Sequence, residues 1–227
     1  MCVCGIVSLS GTPIIGQHLA KILPIKPAFP LPPQPSSFCT VLTREQTQRY
    51  NAMMITKSES EALEKETRQQ SINNIWHCVR SPRLTSSSFK RVYSRRADYE
   101  QLATSIQRKT TLQTTAMKRG LELEPVAAAH YAEVTGNPVY TSGFVVNPNA
   151  RHLGTSPDRK VLQHGYNKSY GLLERKCPDQ YSYTGCKYLQ KHSGDTYSLK
   201  RNHEYYYQVI GQMGITGMSW CEFFCEM

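Results

Sequence analysis

Apolar residues recur at three- and four-residue spacing over 59–79, 89–107, 116–134 and 201–216, and this periodicity predicts four helices. Short apolar runs at 139–146, 153–161, 171–177 and 220–225 are punctuated by Gly, Pro and Asn and predict strands. Ser58 with Glu61 three residues later gives the first helix a capping box, and Ile72, Ile75, Trp76 and Val79 give it one apolar face, the first core contact. The hydroxyl run Thr85 to Ser88 precedes the second helix as an N-cap. The third helix ends at Gly136, and Pro125 inside it must kink it or mark its first turn. Helices, three strands, a helix and a strand together predict an α/β fold around one central sheet.

Six prolines between residues 24 and 35 leave too few amide donors for a helix or a central strand. Residues 1–57 are therefore expected to be a Pro-rich, disordered appendage, and 58–227 to form the domain. The strand at 220–225 is followed by nothing that could cover its edge, which suggests a fragment or a partner that completes the sheet.

Charge narrows the function classes. The 227 residues carry 27 Lys+Arg against 17 Asp+Glu, a net +10, and from Trp76 onward there are 20 basic and 12 acidic residues. The excess therefore sits in the domain, and nucleic acid is the expected partner ahead of a membrane surface. No run approaches the roughly 18 apolar residues of a spanning helix. The beginning of the chain has no basic region and is interrupted by Gly5, Gly11 and Pro13, so no signal peptide is expected and the compartment is expected to be intracellular. The eight cysteines lack C-x-x-C spacing and read as free, mostly buried thiols.

Chemistry concentrates in Ser156-Pro157-Asp158 and, sixteen residues on, Glu174-Arg175-Lys176. Two strands joined by a loop are implied. Alternation along the second puts Glu174 and Lys176 on one face and Arg175 on the other. Two carboxylates can bind a hard divalent cation through oxygen while a lysine holds an attacking water, an arrangement suited to phosphodiester hydrolysis. An Asp followed by Glu-x-Lys, taken alone, describes a solvated strand face better than a catalytic site, because charged residues at alternate strand positions usually face water.

The neighbouring motifs change that balance, because the sequence resembles the YqaJ-like viral recombinase family, which includes the phage lambda exonuclease and belongs to the PD-(D/E)xK nucleases. Leu172-Leu173-Glu174-Arg175-Lys176-Cys177-Pro178 is close to the family's L-L-E-x-K-C-P. Trp76 through Arg80 and then Thr85 to Ser87 match its W-x-x-x-R and T-A-S segment, and Gly120 through Glu124 to Ala127 its G-x-x-x-E-x-x-A helix. Tyr205-Tyr206-Tyr207-Gln208-Val209 with Gly211-Gln212-Met213 matches its Y-Y-Y-Q-V-x-G-Q-M helix. Two positions depart: Arg175 stands where the family has an apolar residue, and Arg159 where it commonly has Gly. The chain also ends before the family's last sheet and helix elements.

The resemblance implies a restriction-endonuclease-like mixed sheet flanked by helices and a 5′→3′ exonuclease acting on double-stranded DNA ends. It implies that Asp158, Glu174, Glu124 and the backbone carbonyl of Arg175 hold one or two Mg²⁺ or Mn²⁺ ions, with Lys176 positioning and helping to deprotonate water. Gln208 would orient that lysine or water; Tyr205, Tyr206 and Tyr207 read first as core packing, with a site-facing Tyr205 one turn earlier as the alternative. Arg80 and Ser87 would bind a terminal 5′-phosphate. A ring-shaped trimer is implied by the family alone. Lys90-Arg91, Arg95-Arg96, Arg108-Lys109 and Lys118-Arg119 supply sequence-independent phosphate contacts and predict salt-dependent binding. The competing reading is an inactive or truncated nucleic-acid-binding module on the same fold. An iron–sulfur centre needs cysteine spacing that Cys177, Cys186, Cys221 and Cys225 do not show, and a zinc site at His77, Cys78, Cys177 and Cys186 is weakly supported by spacing.

Overall fold

A computed structural model describes residues 5–10 (backbone), 28–33, 41–107, 115–163, 169–178, 182, 185–194 and 196–225. Cys2, Cys4, Cys39, Arg108, Lys109 and residues 164–168 lie outside the described residues. In chain order the regular elements are β1 (Gly5–Ser10), α1 (Arg44–Ala52), α2 (Lys57–Glu66), α3 (Asn74–Arg80), β2 (Leu84–Thr85), α4 (Phe89–Tyr93), α5 (Tyr99–Gln107) and α6 (Thr115–Thr135). They continue with β3 (Val139–Thr141), β4 (Leu153–Gly154), β5 (Arg159–Gln163), β6 (Ser169–Lys176), β7 (Leu189–Lys191), β8 (Tyr197–Leu199), α7 (Glu204–Thr216) and β9 (Trp220–Cys225).

The central sheet is mixed, in the order β1-β9-β6-β5-β3. β6 runs parallel to β9 and antiparallel to β5. Side-chain alternation divides this sheet into two buried faces. Leu173, Phe224 and Val161 pack with Ala127 and Tyr131 of α6 on one. Leu172, Cys221 and Phe223 pack with Val209 and Met213 of α7 on the other. β6 is thus buried on both sides, and Gly171 is required where it passes under Trp220, since a Cβ there would lie 2.2 Å from the indole.

Several boundaries differ from the sequence reading. The expected helix 59–79 is α2 and α3 separated by a short 3₁₀ turn, Gln70–Ile72. The break is at Gln70, whose left-handed φ of 47° a continuous right-handed α-helix does not accommodate. Thr56 with Glu59, not Ser58 with Glu61, forms the capping box, and Asn73 caps α3. Of the predicted apolar face, Trp76 is buried with Leu63, Phe144 and Val146, and Val79 packs beside them, whereas Ile72 is 82% exposed. The helix expected over 89–107 is likewise split, at Asp98 with φ 52°. α6 continues through Pro125. The 139–146 run is strand only at its start, and Val145 then makes an isolated antiparallel bridge to Thr155.

The outer edge of β9 is not open, contrary to expectation: β1 pairs with it antiparallel along its whole length. Residues 28–33 of the Pro-rich stretch also pack on the domain, burying Phe29 and Leu31. Leu31 donates its N–H to the carbonyl of Thr216 at 3.1 Å, and the Pro32 carbonyl accepts from Asn147 at 2.9 Å. The Leu31 N–H, a donor the neighbouring prolines lack, satisfies a carbonyl at the C-terminal end of α7, while the Pro32 carbonyl satisfies a side-chain amide. No helix among the described residues is long and apolar enough to cross a membrane.

Candidate active site

The site lies at the C-terminal end of β6, where β5 has run out. Their last paired residues are Arg159 and Leu173, so the backbone of Arg175 extends past the end of β5. Its N–H donates to Asp158 Oδ2 at 2.8 Å. Because the N–H and C=O of an extended residue point to the same side, the Arg175 carbonyl faces that same edge.

Glu174 points to the α7 face and is 1% exposed. Gln208 and Gln212, one turn apart on α7, donate to its two oxygens at 2.6 and 2.7 Å, and Lys176 Nζ donates to the same oxygen as Gln208. The Lys176 ammonium sits 4.8 Å from the ring centroid of Tyr205. Burial, then the neighbouring Asp158 charge, push the Glu174 carboxyl above the usual carboxylate range, against the pull of Lys176 and Gln212. Burial alone would lower Lys176, but the Glu174 and Asp158 charges outweigh it and hold the amine above the usual lysine range. Lys176 is therefore a charged donor beside two carboxylates.

Arg175 projects to the opposite, α6 face. Its guanidinium is 3% exposed and lies 3.2 Å from Glu124 Oε1 and 3.9 Å from Asp158 Oδ2, and it also donates to the Glu124 carbonyl. Arg159, on the same face, pairs with the same Glu124 oxygen. Glu124 is thus engaged by two arginines. Among the described residues no three His, Cys, Asp or Glu side chains converge as a metal cluster.

The segment leading to Asp158 is clamped from several sides. Trp76 Nε1 donates to Ser156 Oγ at 2.8 Å, Ser86 and Thr155 hydroxyls meet at 2.7 Å, and Gln70 Nε2 donates to the carbonyl of Pro157 at 3.1 Å. Parallel pairing of β2 with β4 brings this clamp together. Arg80 stacks its guanidinium 4.5 Å above the Trp76 ring, and burial lowers its pKa without discharging it. Ser87 Oγ lies 3.1 Å from Thr85 Oγ1. Both expected phosphate-binding residues therefore stand on the elements that carry the Asp158 clamp. Of the basic pairs, Lys90 donates to the Asn202 carbonyl and Arg91 to Ser105 Oγ at 2.9 Å, so these two also serve local structure.

The structure brings together Glu174, Lys176 and Gln208, with Tyr205 beside them, and joins Asp158 through the β6 backbone. The sequence leaves three contributors unassigned. Gln212 was signalled by its i,i+4 relation to Gln208. Gln70 carried no signal, because its left-handed φ is what aims it. Arg159 was visible only as a departure from the family pattern.

A mixed sheet with an acid at the start of one strand and Glu-x-Lys at the end of its neighbour defines a restriction-endonuclease-like α/β domain. The chain belongs to the YqaJ-like viral recombinase family, whose domain matches residues 75–219. In structure it is similar to LHK-Exo, an alkaline exonuclease from Laribacter hongkongensis. That comparison gives 31% identity and a TM-score of 0.50 over 67% of this chain and 73% of the other. The complex of LHK-Exo with dAMP gives 29% and 0.51 over the same shares. The shutoff and exonuclease protein of Kaposi's sarcoma-associated herpesvirus is a more distant likeness, 20% identical with a TM-score of 0.36 over 58% of this chain and 26% of that one. No curated protein sequence matches the chain.

Proposed function

We propose that this domain is a divalent-metal-dependent DNA exonuclease that attacks 5′-phosphorylated ends of duplex DNA. The observation that carries the reading is the fully buried Glu174, held by Gln208, Gln212 and Lys176 beside Asp158 at the ends of adjacent strands. A buried Glu174 carboxyl whose proton affinity is raised by burial and by the neighbouring Asp158 charge suits a hard cation, and the donor set of Asp158, Glu174 and the Arg175 carbonyl is all oxygen. Family membership and the likeness to an alkaline exonuclease support the same conclusion.

A bound Mg²⁺ or Mn²⁺ supplies Lewis-acid polarisation of the scissile phosphate and a more acidic water. Asp158 and Glu174 would hold it. Lys176, charged and anchored on Glu174, donates toward the attacking water or the phosphate oxygens. Gln208 fixes the Glu174 oxygen on which Lys176 leans, and the Tyr205 ring supports the ammonium from below. The clamp on residues 155–158 keeps Asp158 in register with β6, which matters because an ångström of misplacement costs about 10²-fold in rate.

Release of acid-soluble nucleotide from linear duplex DNA should require Mg²⁺ or Mn²⁺ and be abolished in Asp158→Ala; equal release by the two proteins sinks the nuclease reading and leaves a binding module. Polarity is read separately. The Arg80 guanidinium and Ser87 hydroxyl can engage a phosphate monoester. Substrates with 5′-phosphate should be degraded about tenfold faster than 5′-hydroxyl ones, and Arg80→Ala should erase the difference, as loss of a charge-assisted contact of about 1.5–3 kcal/mol implies. Indistinguishable ends in the unmodified protein overturn the 5′-end assignment.

A further inference from the structure

The two departures from the family pattern, Arg159 and Arg175, meet at one atom. Both guanidinium groups lie against Glu124 Oε1, and Arg175 spans from there toward Asp158. With Gly and an apolar residue at these positions, three carboxylates (Glu124, Asp158, Glu174) at the end of β6 would be left with Lys176 as their neighbouring cation. The arginines add two positive charges, the charge of one divalent ion. Glu124 also approaches from the α6 face of the sheet and Glu174 from the α7 face, with the end of β6 between them, and Arg175 fills the α6 side. A second metal ion bridging Asp158 and Glu124 would have to enter where a guanidinium already lies, and the repulsion of like charges at such separations is severe in a buried setting.

Resting on the nuclease reading, we infer that the Arg175 guanidinium takes the place of a second metal ion, so that the chain binds one divalent cation, through Asp158, Glu174 and the Arg175 carbonyl, with Glu124 serving the arginines instead of the metal. Arg175 is thereby a positioning residue that neutralises Asp158 and Glu124 without leaving. The burial cost of its side chain is offset by those two carboxylates and the Glu124 carbonyl.

The test counts bound Mn²⁺ by electron paramagnetic resonance titration on the full chain, with circular dichroism to verify folding. The unmodified protein should bind one Mn²⁺ per chain, Arg175→Leu two, and Arg175→Leu combined with Glu124→Gln one again. Two ions in the unmodified protein, or one in a folded Arg175→Leu, overturn the inference while leaving the nuclease reading intact. No bound Mn²⁺ in the unmodified protein overturns the metal-dependent reading itself, and this inference with it. Should Arg175→Leu not fold, Glu124→Gln alone decides: Mn²⁺ affinity within about twofold of the unmodified protein supports the inference, and a tenfold or greater loss overturns it. An activity assay is not needed for any of these readings.

Discussion

Replacing Lys176 with methionine is expected to lower the rate of nucleotide release by about 10²–10⁴-fold, the range typical for loss of a positioned proton-transfer or water-orienting group. KM for duplex DNA should change little, because the basic surface responsible for general phosphate contact is untouched. The same variant should be less stable. Lys176 is the cation paired with a fully buried Glu174 carboxylate, and removing one member of a buried pair costs about 3–5 kcal/mol. Saturating Mn²⁺ should restore part of that loss by giving Glu174 another positive partner, so metal should raise the melting temperature of Lys176→Met more than that of the unmodified protein. Lys176→Arg should not recover the rate, since a planar fork does not reproduce a compact ammonium over Tyr205. A variant that keeps the full rate removes Lys176 from the mechanism.

The second large effect lies away from the chemistry. Glu64, near the end of α2, accepts from Arg68 at 2.8 Å and from the Gly143 N–H at 3.2 Å, and Lys160 of β5 lies 3.3 Å from it. Lys160 is itself 1% exposed and stands 4.5 Å from the ring centroid of Phe29. Burial pushes the Glu64 carboxyl up, but the Arg68 hydrogen bond, the Lys160 and Arg68 charges and the Gly143 N–H outweigh it, so the net direction is down. A carboxylate depressed in the folded state stabilises the fold above its unfolded pKa, near 4.3, and that contribution is lost as pH falls through the folded value. Glu64→Gln should therefore cost about 3–5 kcal/mol at neutral pH, a large part of the roughly 5–15 kcal/mol available to a domain. The gap should narrow steadily below about pH 4. Urea midpoints of the two proteins at neutral and acid pH test both statements; a constant gap would mean that the Glu64 charge does not supply the stabilisation.

These two predictions also show what a sequence discloses. β6 was legible because its alternation is local: Leu172, Glu174 and Lys176 go one way and Leu173 and Arg175 the other, whatever surrounds them. The Gln208 face of α7 was legible for the same reason at helical period. Glu64 and Lys160 were not, because a Glu in a polar helix and a Lys in a short strand look solvated until distant elements close over them. Thr56-Glu59 and Ser58-Glu61 offer the same capping spacing, and only the start of the folded helix selects between them. Gln70 broke the expected helix to reach Ser142 and Pro157, two contacts more than seventy residues away in the chain. Arg175 is visible in the sequence only as a departure from the family pattern, and its pairing with Glu124 is not, because the two residues lie 51 positions apart and meet only when α6 packs on β6.

The pairing of β1 with β9 bears on the order in which the molecule can assemble. β9 is hydrogen-bonded on one side to the first strand described and on the other to β6, which carries Glu174 and Lys176. Neither neighbour can complete its ladder until the intervening strand has been synthesised and placed, so the active centre is framed by contacts of very large sequence separation. Such topologies fold slowly, since loop-closure entropy is spent before the distant contacts return it. During synthesis the helices and the β5–β6 hairpin can form early, while β6 presents an unpaired apolar edge until residues 220–225 arrive. The interval before β9 inserts is thus when a nascent chain is most exposed to aggregation.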